Sequence, residues 1–178
     1  PTVTTIAPTP VAVNAAPPVS GSETAILMVA GTKQILYEKD SHKIMYPAST
    51  TKMMTLITAL KRAKLDETVV VAPAAVGIEG SSLELRMLDR LSLRELLFGL
   101  MLASGNDAAH AVAEHVGRGS YKQFIAWMNE DAEKIGALRT HFSNPHGLPD
   151  PVNHFTTAYD LAMIADAGFK IDGFEQFV

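Results

Sequence analysis

The chain has 178 residues, 47% of them apolar and 19% charged, with a formal net charge of −4. That is enough apolar material for one sizeable core or two small ones, and no apolar run approaches the length that crosses a bilayer. The acidic balance and the lack of a basic block argue against a nucleic-acid binder, and the absence of cysteine excludes disulfides and thiolate chemistry.

Pro1 to Ser22 is rich in Pro, Ala, Val and Thr and carries no charge, which predicts a flexible linker over 1–22 and a folded unit over 23–178. The sequence starts at proline, so no signal peptide can be read from it. Ala25-Ile26-Leu27-Met28-Val29 and Gln34-Ile35-Leu36-Tyr37-Glu38, joined through Gly31-Thr32-Lys33, predict a β-hairpin. Pro47 precedes a helical pattern in which Met53, Leu56, Ile57 and Leu60 share a face. Ser49 is therefore expected at the buried N-terminal end of a core helix, with Lys52 one turn in, where desolvation would lower its pKa. The cluster Lys61-Arg62-Ala63-Lys64 suits the C-terminus of that helix.

Thr68-Val69-Val70-Val71 predicts a short strand, and the mixed Gly, Ser and Glu content of 72–90 a loop-rich insertion. Ser92-Leu93-Arg94-Glu95 reads as a capping box ahead of a helix marked by Leu93, Leu96, Leu97 and Leu100. That helix should stop at Ala103-Ser104-Gly105-Asn106-Asp107, and another follows at once through Val112 to Val116. Ser120 caps a further helix whose buried face would carry Phe124, Trp127, Met128 and Ile135. After a polar loop over 136–153, Thr157 opens a last helix with Leu161, Ile164 and Ala165. A hairpin and five helices result. Two or three strands are too few to form a sheet under so much helix, which implies that sheet partners lie after Val178.

Two short stretches carry chemistry. Tyr46-Pro47-Ala48-Ser49-Thr50-Thr51-Lys52 sets a hydroxyl and an amine three residues apart at a helix start, on one face. A lysine desolvated enough to lose its proton can serve as base for the serine, while first-turn N–H groups help to bind an oxyanion. Alone, the pattern reads more readily as a helix N-cap beside an exposed lysine. Ser104-Gly105-Asn106, pinched between two helices, is the second stretch, and a tight connection of this kind can hold a hydroxyl and a carboxamide rigidly in a cleft. Ser-x-x-Lys followed by Ser-x-Asn is the order used by one class of serine acyltransferases.

On these residues the chain resembles the low-molecular-mass penicillin-binding proteins that act as serine-type D-alanyl-D-alanine carboxypeptidases of the peptidase S11 type. Further matching segments are Leu36-Tyr37-Glu38-Lys39, Gly80-Ser81-Ser82, Phe142-Ser143-Asn144-Pro145-His146-Gly147-Leu148 and Thr157-Ala158-Tyr159-Asp160-Leu161-Ala162. The resemblance implies an α/β (α+β) fold of the penicillin-binding protein and serine β-lactamase kind, an antiparallel sheet with a helical subdomain, incomplete at its C-terminal side. It implies that Ser49 attacks the carbonyl between the two terminal D-alanines of a peptidoglycan stem peptide, that Lys52 takes the hydroxyl proton, that Ser104 relays a proton to the leaving amine, and that Asn106 binds the substrate backbone and orients Lys52. β-Lactams would acylate the same serine. No cofactor or metal is implied, and the location implied is periplasmic or otherwise extracytoplasmic, any membrane association coming from a segment outside this chain.

The family's third motif, Lys-Thr-Gly, does not occur: the two lysines after Lys122, Lys134 and Lys170, begin no such triplet. The expectation is an N-terminal piece whose site is completed by a cleaved-off or separate fragment. Leu85 to Arg90 also lacks the glycine that the family carries before an aspartate. A serine β-lactamase is disfavoured by Gly105, where that class carries Asp, and a non-catalytic peptidoglycan sensor is the other alternative. His110 and His115, five apart, point to different sides of a helix and do not suggest a metal site. His146 is expected as a turn residue packing near the site, and Asp107 and Asp160 as helix caps.

Overall fold

The structure, a computed structural model, describes residues 21–178. The linker expected over 1–22 falls, but for its last two residues, outside the described residues. The hairpin forms as β1 (Ala25–Met28) and β2 (Ile35–Lys39), antiparallel with Ile26 opposite Glu38 and Leu27 opposite Tyr37. Gly31 makes the turn at φ +80°, and its N–H donates to Asp166 Oδ1 at 2.6 Å, which fastens the hairpin to the last helix.

Five α-helices follow: α1 (Thr51–Leu60), α2 (Leu93–Leu102), α3 (Asn106–Val116), α4 (Tyr121–Ile135) and α5 (Ala158–Gly168). α1 is buried nearly all round rather than on the one predicted face: Met54, Leu56, Ile57 and Ala59 are fully buried, while Met53 and Leu60 are only partly so. It is the central helix, in contact with the other four, while the hairpin packs on α5. The capping box at Ser92 forms in full, Ser92 Oγ accepting from Glu95 N and Glu95 Oε2 from Ser92 N. Ser120 and Thr157 cap α4 and α5, and Gly136 ends α4 in the left-handed conformation at φ +92°. On α4, Phe124 and Met128 are buried, but Trp127 is half-buried beneath the Arg62 guanidinium, 5.0 Å away.

The cluster at the end of α1 does more than complement a helix dipole. Lys61 and Arg62 both reach the buried carboxylate of Asp131 on α4, at 2.5 Å each. Burial alone would raise the Asp131 pKa; the two cations outweigh it and hold the group below the usual carboxylate range.

One strand was not expected. β3 (Thr68–Val70) pairs antiparallel with β4 (Arg90–Ser92), so the stretch expected as a loop-rich insertion over 72–90 is indeed loop, with one 3₁₀ turn at Pro73–Ala75, but it joins paired strands and ends at Arg90 in β4. Its tight return includes Leu88 at φ +71°, and Leu88 N donates to Val71 O at 2.9 Å. Leu88 is 67% exposed. The left-handed conformation costs a non-glycine residue about 1–2 kcal/mol, against about 0.5–1 kcal/mol of extra chain entropy for glycine. Leu88→Gly is therefore expected to stabilise the chain by roughly 0.5 kcal/mol; a lower melting temperature would show instead that the leucine side chain contributes packing.

Candidate active site

The site forms where α1 begins. Ala48–Thr50 is a single 3₁₀ turn, entered through Ala48 at φ +47° and closed by Thr50 Oγ1 and N on Pro47 O. Ser49 sits in this turn and is exposed, not at a buried helix end as predicted. Lys52, in the first turn of α1, is 2% exposed. Burial without an ion-pair partner lowers its pKa to about 8.

Lys52 Nζ lies 3.2 Å from Ser49 Oγ, 2.7 Å from Asn106 Oδ1 and 2.9 Å from the His146 carbonyl oxygen. Two of these partners can only accept. They take two N–H bonds and leave the third direction of the amine toward the serine hydroxyl, an arrangement that suits a neutral amine whose lone pair faces the Ser49 proton. Ser104, in the α2–α3 connection at φ +56°, completes the triangle with its Oγ 3.0 Å from Ser49 Oγ.

Asn106 is the first residue of α3 and is buried. Its backbone N–H donates to Ser81 O at 2.7 Å and its Nδ2 to Glu79 O at 2.6 Å, which fixes the carboxamide with Oδ1 toward Lys52. A side chain at Gly80 would put its Cβ 2.8 Å from Asn106 Nδ2, so the strap over 79–81 can pass only as glycine at that point. Asp107, expected to cap α3, does accept the first-turn Ala108 N–H at 2.8 Å, and its carboxylate also takes Ser82 Oγ at 2.7 Å and the Leu83 and Leu85 N–H groups at 3.0 Å each. Burial would raise its pKa, but those donors prevail and keep it ionised below the usual range. Asp160 does not cap α5: it accepts from Arg139 N and Thr140 Oγ1 at 2.8 Å each, and Thr157 supplies the cap.

The fourth wall is the segment that holds His146, placed near the site by the sequence but without its backbone tie to Lys52. Asn144 folds the 144–148 loop on itself, its Oδ1 accepting from Gly147 N and its Nδ2 donating to Leu148 O. The loop lies on α1, where Thr55 Oγ1 donates to Pro145 O at 2.6 Å and Lys52 to His146 O. His146 is buried near the site, as expected. Burial first, then the charges of Lys52, His110 and His154, push its pKa down to about 4, so the ring is a poor base at neutral pH. The available signal was the pair Thr51 and Thr55, a polar i, i+4 stripe on an otherwise apolar helix. Elsewhere, His115 pairs with Glu67 at 3.0 Å and His110 stacks on Tyr121 at 4.6 Å.

A Ser–Lys–Ser arrangement at the head of a central helix, with a carboxamide beside the amine, places the chain among proteins of the penicillin-binding protein and serine β-lactamase-like fold. The profile of the peptidase S11 family, described as D-alanyl-D-alanine carboxypeptidase, matches residues 11–177, and the chain belongs to that family. It is 33% identical over 161 residues to D-alanyl-D-alanine carboxypeptidase DacF of Bacillus subtilis, covering 88% of this chain and 41% of that protein. To the DacD carboxypeptidase of Escherichia coli it is 37% identical over 162 residues, 85% of this chain and 41% of the relative. The crystal structure of a D-alanyl-D-alanine carboxypeptidase from Mycobacterium tuberculosis superposes with a TM-score of 0.86 at 33% identity, covering 93% of this chain and 62% of that one. Penicillin binding protein 6B from Escherichia coli gives 0.84 at 33% identity, covering 92% and 54%. The chain thus spans about two fifths of the length of these curated relatives.

Proposed function

We propose that this chain carries the nucleophile, base and proton relay of a serine D-alanyl-D-alanine carboxypeptidase. The observation that carries the reading is the buried Lys52 amine, 3.2 Å from the exposed Ser49 hydroxyl and held by two carbonyl oxygens. Lys52 takes the Ser49 proton as Oγ attacks the carbonyl carbon between the two terminal D-alanines of a stem peptide. Ser104, 3.0 Å from Ser49 Oγ, passes a proton to the departing amine. D-Alanine leaves, and water hydrolyses the remaining ester. Asn106 holds Lys52 and presents its carboxamide to the substrate backbone, and the Ser49 N–H serves as one oxyanion donor.

These 178 residues contain no Lys-Thr-Gly. The group that binds the substrate carboxylate and the second oxyanion donor are therefore assigned to a further polypeptide segment that completes the domain. Peptidoglycan as substrate implies work outside the cytoplasm; no helix of the described residues is long and apolar enough to cross a membrane. The Ser-Asp-Asn version found in β-lactamases is disfavoured by packing. A Cβ at Gly105 would meet Asp107 Oδ1 at 3.0 Å and Leu83 Cγ at 3.1 Å, so both side chains would have to give way.

The test is labelling of the completed protein by a fluorescent penicillin, followed by D-alanine release from a diacetylated Lys-D-Ala-D-Ala tripeptide. Stable label lost in Ser49→Ala, with D-alanine released by the wild type, is the expected result. Rapid loss of label would support a β-lactamase, and label without release a sensor. Because the amine must be neutral to act, the labelling rate should rise about tenfold per pH unit and level off above about 8, where Lys52 has lost its proton.

A further inference from the structure

The Lys52 environment depends on a loop, and one side chain ties that loop to α1 ahead of the lysine. His154 is 1% exposed and bridges two segments: its Nε2 is 2.8 Å from Thr51 Oγ1, and its Nδ1 accepts the Ser143 backbone N–H at 3.1 Å. Because Nδ1 accepts from a backbone donor, the ring proton sits on Nε2 and is given to Thr51. Thr51 is the residue before Lys52, and Ser143 lies three before His146. The bridge therefore runs in register with the two other ties, Thr55 Oγ1 to Pro145 O and Lys52 Nζ to His146 O.

We propose that His154 is a positioning residue for Lys52: its imidazole, spanning Thr51 and Ser143, fixes the 143–146 segment where the His146 carbonyl caps the amine and keeps water from it. A protonated ring would carry a hydrogen on both nitrogens and lose Ser143 N as a partner. Burial prevents that, with His141 adding to the effect and Asp150 opposing it, and the His154 pKa falls to about 4. The Phe142 ring closes the site edge-on at 5.7 Å.

The inference rests on Lys52 being the base, but its test needs no turnover. With lysine 13C-labelled at Cε, the Lys52 resonance, assigned by its loss in Lys52→Met, is titrated by NMR. The wild-type midpoint is expected near 8. His154→Ala should admit water to the amine and raise the midpoint by about one unit. His154→Gln, which can still donate to Thr51 and accept from Ser143, should stay within about 0.3 units of wild type. Thr51→Val removes the other end of the bridge and should move the midpoint upward too, deciding the matter if His154→Ala does not fold. A folded variant lacking the bridge that titrates like wild type overturns the inference, as does a His154→Gln shift as large as that of alanine. A wild-type midpoint near the ordinary 10.5 overturns the base assignment itself and the inference with it.

Discussion

Replacing Lys52 by methionine is expected to slow acylation of Ser49 by about three orders of magnitude while leaving the melting temperature at pH 7 within a few degrees of wild type. The first effect follows from the loss of the only amine within reach of Ser49 Oγ among the described residues. The second follows from two terms of opposite sign. Holding a protonated lysine where its pKa has fallen from 10.5 to about 8 costs the folded state on the order of 3 kcal/mol. That cost is present in full at pH 7, shrinks as pH rises past the folded value and is gone above the unfolded one. Methionine removes it but leaves Asn106 Oδ1 and His146 O without their donor, at about 1–3 kcal/mol each for buried acceptors. The terms nearly cancel at pH 7. At pH 10 the lysine cost has mostly gone, so the variant should then melt below wild type. Labelling rates and melts at both pH values check this; a variant that is much less stable at pH 7 would show that the amine is a structural anchor rather than a strained base.

How far the sequence led can be judged at particular residues. Four of the five helices were legible because each has a local start signal, Pro47, Ser92, Ser120 or Thr157, ahead of an apolar repeat, and α3 was legible from the stop signal of the helix before it. The hairpin was legible from two apolar runs around Gly31. The strand Arg90–Ser92 was not, since three residues show no alternation and Ser92 already serves as an N-cap. Lys52 could be assigned a lowered pKa from its apolar neighbours, yet two of its three partners come from Asn106 and His146, far along the chain. Asp107 was legible only in part and Asp160 not at all, for the same reason. Their place in a first turn is a local pattern, and it accounts for the Ala108 N–H that Asp107 takes, whereas their other donors belong to other loops and become visible only when the chain is folded. The strap over 79–85 and the loop over 143–148 have no periodicity at all. Resemblance marks both segments, but their bonds to Asn106 and Lys52 are made by backbone carbonyls, which every residue has, so no residue type shows those contacts in advance.

Gly147 is where that irregular backbone leaves least room, and Gly147→Ala is expected to destabilise the chain by about 3–4 kcal/mol and to abolish labelling of Ser49. Gly147 has φ +95°, and a Cβ there would lie 1.9 Å from Ala48 O, 2.3 Å from Ala48 C and 3.0 Å from Ser49 N. All three are backbone atoms of the turn that carries the nucleophile, so no side chain can swing aside. If the loop retreats, the ties from Thr55 to Pro145 O and from Lys52 to His146 O break, at about 1 kcal/mol or more each. If the turn yields instead, Ala48, already at φ +47°, is pushed further and Ser49 Oγ leaves the reach of Lys52 and Ser104. Gly31→Ala supplies the control. Gly31 has φ +80° but nothing within 4 Å of its would-be Cβ, so only the backbone strain of about 1–2 kcal/mol applies. The gap between the two variants therefore measures the contact of the loop with the Ala48–Ser49 backbone, apart from the general penalty for alanine at positive φ. Equal losses in thermal melts of the two variants, or a Gly147→Ala protein that labels at the wild-type rate, would show that the loop does not set the position of Ser49.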